Sequence, residues 1–167
     1  MSLEDDVIQL AARLTRVTGV DERTGLANLR LLVRDLVREL ARGRRALPGI
    51  HLCVVQPDSE IDAARFGDEL GVVAREEDVV ARLGDRQFAL LLVDASLDEG
   101  ERLSQRICDE LKSLTPVSVG WRPVVGDELA RVDAAEIIRQ AVTAAEEAHR
   151  NGGNRVVKWR QTSPGIN

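Results

Sequence analysis

Two strand-length runs, Val79–Leu83 (apolar but for Arg82) and the wholly apolar Phe88–Val93, stand on either side of Gly84-Asp85. Strand-length runs broken by a Gly-Asp turn signal predict a β-hairpin. An isolated hairpin is marginal in water, so the flanking segments must supply further strands and covering helices. Upstream, Leu29, Leu32, Val33, Leu36, Val37 and Leu40 recur at helical spacing, predicting a helix from about Leu26 to Arg44 that Pro48 and Gly49 stop. Ile50–Val55 reads as a strand, and Ala63, Phe66, Gly67 and Leu70 as a short helix. Downstream come a helix over Leu97–Leu114, a strand over Val117–Val124 and a helix over Ala134–Arg150. Gly152 and Gly153 end that helix, and Arg155–Trp159 forms a last strand. Val7, Leu10, Ala11 and Leu14 place an amphipathic helix over 3–17, joined to the rest through Thr18–Arg23. The implied class is α/β (α+β): a mixed β-sheet with a central hairpin, flanked by helices.

A chain of 167 residues suits one domain with one sizeable core. Residues 1–20 form an N-terminal helix, either a dimerising stalk or a packed first element; 21–160 form the domain, and 161–167 a polar tail. A formal charge of −5 argues against a nucleic-acid binder, because phosphate contacts need a basic face. No apolar run is long enough to span a bilayer and no signal peptide opens the chain, so a cytoplasmic location without membrane insertion is expected. Cys53 and Cys108 lie on apolar stretches and read as buried thiols. With only His51 and His149 beside them, no cluster has metal-ligand spacing, and neither a metal nor a resident cofactor is expected.

Five motifs, in order, carry a family resemblance. Asp21, Thr24, Gly25, Leu26, Asn28 and Arg30 open it, with Arg23 and Leu29 departing from the pattern. Arg75-Glu76-Glu77-Asp78 precedes Val79-Val80-Ala81-Arg82-Leu83-Gly84, which leads to Phe88 and the run Ala89–Val93. Val117-Ser118-Val119-Gly120 follows, and Ala148, Gly152, Asn154, Arg155 and Val156 close it. Together these resemble the GGDEF domain of the diguanylate cyclases, from Asp21 to about Val157. That family joins two GTP molecules, using metal ions held by carboxylates.

At the positions where the family holds its chemistry, this sequence departs from it. The family's Gly-Gly-Asp/Glu-Glu-Phe is here Gly84, Asp85, Arg86, Gln87 and Phe88, so a guanidinium stands at a metal-ligand position. The ligand at the end of the first strand is Gln56, and the phosphate-contacting Lys is His149. Two unit charges about 4 Å apart interact by roughly 4 kcal/mol at an effective dielectric near 20, so this swap turns attraction for a divalent ion into repulsion. Asp58 is expected as a solvated turn aspartate rather than a displaced ligand. Only 28 positions separate Gln56 from Gly84, which leaves little chain for the family's guanine-reading loop. The expectation is therefore a degenerate domain that is not an enzyme.

The resemblance also implies a product site. Arg75 and Asp78 lie where the family keeps an Arg-x-x-Asp motif that binds cyclic di-GMP, nine residues ahead of Gly84, and Arg106 matches a second arginine. A guanidinium fork takes guanine O6 and N7 or grips a phosphate, while a carboxylate beside it accepts from guanine or holds the arginine. The tetrapeptide recurs at Arg65–Asp68, Arg82–Asp85 and Arg106–Asp109, so position singles out Arg75. Arg82 reads as a sheet-edge charge, and the cluster Arg42, Arg44 and Arg45 as a helix-terminal cap. Trp121 and Trp159 read as core or sheet-face residues. The expected function is a signalling domain that binds cyclic di-GMP, pairs into a homodimer on binding and relays the signal to a protein partner. The alternatives are a nucleotide-independent interaction module, or an altered enzyme using Asp58, Asp85 or Glu60.

Overall fold

The computed structural model describes residue 5, residues 19–43 and residues 49–160. The helix expected over 3–17, Arg44 and Arg45, and the tail 161–167 lie outside the described residues. The elements run α1 (Leu29–Gly43), β1 (Gly49–Pro57), α2 (Ala63–Val73), β2 (Val79–Gly84), β3 (Gln87–Leu92), α3 (Leu97–Leu111), β4 (Val117–Val125), a 3-10 turn (Gly126–Ala130), α4 (Ala134–Arg150) and β5 (Arg155–Lys158). The sheet order is β2-β3-β1-β4-β5, antiparallel except for the parallel pair β4 and β5. This is the mixed α/β sheet with a hairpin that the patterning implied.

Two cores sandwich the sheet, and the period of β1 divides them. Ile50, Leu52 and Val54 enter one core beneath α1 and α4, with Leu36 and Ala141. Cys53 and Val55 enter the other beneath α2 and α3, with Phe66 and Ile107. Alternate residues of a strand point to opposite faces, so a strand apolar on both parities must be covered twice. Phe66 and Phe88, both fully buried, pack at 4.7 Å between ring centroids.

Helix starts follow their caps. Asp62, Ser96 and Asp133 accept from the backbone N–H groups of Arg65, Glu99 and Glu136, opening α2, α3 and α4. The helix expected from Leu26 begins instead at Leu29, because Ala27 is taken by β2. Its N–H donates to the Val80 carbonyl and its carbonyl accepts from Arg82 N–H, covering the outer edge of the sheet. Asn28 then caps α1 by accepting from Leu31 N–H. The helix expected to reach Leu114 ends at Leu111, whose carbonyl accepts from both Leu114 and Thr115. Gly152 and Gly153 stop α4 with φ of 113° and 70°, a conformation that suits glycine.

Candidate functional site

Two places on this fold hold the residues singled out by the sequence. The first is a cleft of about 520 Å3 between the chain leaving β1 and the hairpin turn, lined by Pro57, Glu60, Asp62, Asp85, Arg86 and Phe88. The turn residues are Asp85 and Arg86, clamped by Gly84 pairing with Gln87. Arg86 Nη2 donates to the Pro57 carbonyl oxygen at 3.4 Å, so its guanidinium closes over the end of β1. Gln56 lies opposite Ser118 in the β1–β4 ladder. These side chains do not fit a divalent cation. Among the described residues, no three His, Cys, Asp or Glu come together as a cation site.

Asp58 is not a solvated turn residue, as the sequence had suggested. Its carboxylate accepts from Ser118 Oγ at 2.6 Å and from Asn154 N–H at 2.8 Å, and His149 Nδ1 lies 2.9 Å away. It fastens the end of β1 to β4, to the last turn of α4 and to the approach of β5. Partners 60 to 96 positions away bury it, which no local pattern announces. Arg82 is likewise more than an edge charge. Its side chain is 10% exposed, donating to the Gly84 carbonyl and pairing with Asp21 at 3.4 Å. Burial works against ionised Asp21, but bonds from Thr24 and the charge of Arg82 outweigh it and hold the carboxyl below its ordinary range.

The second place is the entrance to β2. Asp78 Oδ2 accepts from the backbone N–H and from Nε of Arg75, and Asp78 Oδ1 from Nη2. The same Nη2 donates to the Val93 carbonyl at 2.8 Å. The Asp78 side chain is 0% exposed and that of Arg75 38%, so the carboxylate sets the arginine and the arginine meets solvent. Burial would lower the Arg75 pKa, but the Asp78 bond and the charges of Asp78, Glu77 and Glu99 raise it. Nη1 of Arg75 has no partner among the described residues. Arg106 lies on α3, its Nε donating to Glu110 at 2.7 Å. The fold brings Arg75 and Asp78 into contact. It sets Arg106 on a neighbouring helix without a direct bond to them.

Two buried polar centres escaped the sequence reading. His51, 0% exposed, donates from Nε2 to the Ala95 carbonyl at 3.1 Å and accepts at Nδ1 from Trp121 Nε1–H at 3.0 Å. These partners require the Nε2–H tautomer, and burial lowers the ring's pKa. Arg122, 3% exposed, donates to Gln140 and Glu128 and stacks its guanidinium 4.6 Å from the Trp159 ring centroid. The available signal was a polar residue inside an otherwise apolar strand. Trp121, at 4% exposure, is the core residue expected.

The hairpin and the β2 entrance fall inside the match to a known domain. The family model described as "Diguanylate cyclase, GGDEF domain" matches residues 64–155. The chain belongs to this family. A probable diguanylate cyclase, DgcT of Escherichia coli (strain K12), is 32% identical over 98 residues, covering 53% of this chain and 22% of DgcT. The chain thus spans about a fifth of that relative's length. The GGDEF domain of DgcB from Caulobacter crescentus, solved in complex with c-di-GMP, superposes with a TM-score of 0.73 at 20% identity, over 86% of this chain and 94% of that one. The active GGEEF domain of a diguanylate cyclase from Vibrio cholerae superposes at 0.67 with 19% identity, over 80% of this chain and 97% of that one. At such identities the likeness is one of fold.

Membership of the GGDEF family overturns the expectation that this chain is not an enzyme. Its family is one of cyclases, and its relatives carry that activity in their names. The expectation judged aligned positions one at a time. Among the described residues, no helix is long and apolar enough to cross a membrane.

Proposed function

We propose that this GGDEF domain works in cyclic di-GMP signalling and holds the dinucleotide on the face formed by Arg75, Asp78 and Arg106. The observation that carries the reading is the state of Arg75. Its guanidinium is fixed on two sides, by the buried Asp78 carboxylate and by the Val93 carbonyl, while the side chain as a whole stays 38% exposed and Nη1 has no partner among the described residues. A pre-set fork loses little side-chain entropy when it binds, and it matches a phosphate or the O6/N7 edge of guanine. Asp78 acts through Arg75 as a positioning residue. Arg106, whose two Nη groups have no partner among the described residues, supplies a second cation from α3.

The signal then passes to a protein partner, and a dimer bridged by the dinucleotide follows if two such faces share one ligand. Calorimetric titration of cyclic di-GMP into the chain tests the reading. The expected result is micromolar binding, at least tenfold weaker in Arg75→Ala and weakened in Arg106→Ala. Absence of heat with the unaltered chain, or equal binding by Arg75→Ala, would refute it.

A further inference from the structure

Both cations of the proposed face already meet carboxylates of this chain, and the two pairings differ in kind. Arg75 is tied to Asp78 and Val93 in a way that orders the loop before β2, and Glu77 adds a half-exposed ion pair at 3.4 Å. Arg106 has no such structural duty. It lies one turn from Glu110 on α3, with Nε and Oε1 at 2.7 Å and both side chains about half exposed. Helix geometry preforms this pair, because residues four apart face each other. A carboxylate at 2.7 Å from a guanidinium occupies the place that a phosphate oxygen would take, with the same charge-assisted hydrogen bond.

Resting on the reading of this face as a cyclic di-GMP site, we infer that Glu110 is an internal competitor for Arg106 and sets the affinity of the face for the dinucleotide. An incoming phosphate must displace the Glu110 carboxylate or share the guanidinium with it. Either way the ligand meets a cation whose charge is already countered. Glu99 deepens the effect: it lies seven residues before Arg106, hence on the same stripe of α3 about 10.5 Å along the axis, and its charge acts on Arg75. The face therefore presents cations held in check by acids, and removing the closest acid strengthens binding.

The test is calorimetric titration of cyclic di-GMP into the full chain and into Glu110→Gln, Glu101→Gln and Glu110→Gln/Arg106→Ala variants, at about 50 mM and 500 mM salt. Glu101 carries the same charge on the same helix but lines the groove beside β5 with Lys158 and Trp121, so it controls for net charge. Glu110→Gln is expected to bind about two- to fivefold more tightly at low salt, the range an exposed ion pair accounts for. The gain should vanish when Arg106→Ala is added and shrink at high salt as screening shortens. Unchanged or weaker binding by Glu110→Gln would overturn the inference, as would an equal gain from Glu101→Gln. If the unaltered chain binds and Arg75→Ala does not, either of those results sinks the competitor role alone. If no variant binds at all, the reading of the face falls and takes the competitor role with it.

Discussion

Replacing Gly100 by alanine drives a methyl group into the ring of His51. An added Cβ would lie 2.8 Å from His51 Cγ and closer still to Nδ1 and Cε1. Carbon atoms in a packed core need about 3.5–4.0 Å. The ring has nowhere to go: it is 0% exposed, and its two nitrogens are committed to Ala95 and Trp121. Overpacking costs about 1–3 kcal/mol. Losing one of the ring's bonds, with a buried donor or acceptor left unpaired, costs about 1–3 kcal/mol more. Against this, alanine is the better helix former by about 1 kcal/mol. The expected net loss is about 3 kcal/mol, and a Tm lower by roughly 6–12 °C for a chain of this size. Urea and thermal unfolding followed by circular dichroism would measure it. Gly71→Ala, in α2 with nothing within 4 Å of the new Cβ, is the control and should gain about 0.5–1 kcal/mol. Adding His51→Ala to Gly100→Ala should recover part of the loss, with a coupling of about 0.5–3 kcal/mol. If Gly100→Ala behaves like Gly71→Ala, the buried packing of His51 against α3 is wrong.

The same histidine sets a pH dependence. Burial lowers its folded pKa, so the unfolded chain takes up a proton first, and stability present above about pH 6.5 falls as the pH drops below it. Urea midpoints at pH 7.5 and 5.0 should show this loss, reduced in His51→Gln; an equal loss in both proteins would count against it. Asp58→Ala removes the acceptor shared by Ser118, His149 and Asn154 and should cost about 2–4 kcal/mol, so an unchanged Tm would show that the clasp contributes nothing. Burial pushes the Cys53 thiol up to about 12 and the Cys108 thiol to about 11, so neither should react with a disulfide reagent at pH 8 until urea unfolds the chain. Rapid labelling of the native protein would contradict that.

The number, type and order of the described α-helices and strands were legible in the chain because each is written in local periodicity, whereas the 3-10 turn Gly126–Ala130 was not foreseen. Ile50, Leu52 and Val54 alternate with Cys53 and Val55, and this parity alone requires a strand covered on both faces. Asp133 ahead of Ala134 and the glycines after Asn151 bracket α4 with capping chemistry confined to a few neighbours. Arg75 and Asp78 were also legible, since three residues of chain suffice to bring them together. Tertiary structure decided the fate of the polar residues. Leu26 and Ala27 have helical patterning, yet the open edge of β2 claims Ala27 for a bridge. Asp58 and Arg82 read as surface charges because their partners lie about 60 to 96 positions away. His51 is satisfied by Ala95 and Trp121, which approach only once β1, β4 and α3 have packed. Hydrophobic burial is roughly proportional to area and announces itself by period, whereas a buried hydrogen bond needs one particular partner at one distance. The sequence alone therefore determined the layers and the hairpin. Only the packed sheet determined which charges are buried as clasps and which stay exposed beside a neighbouring acid.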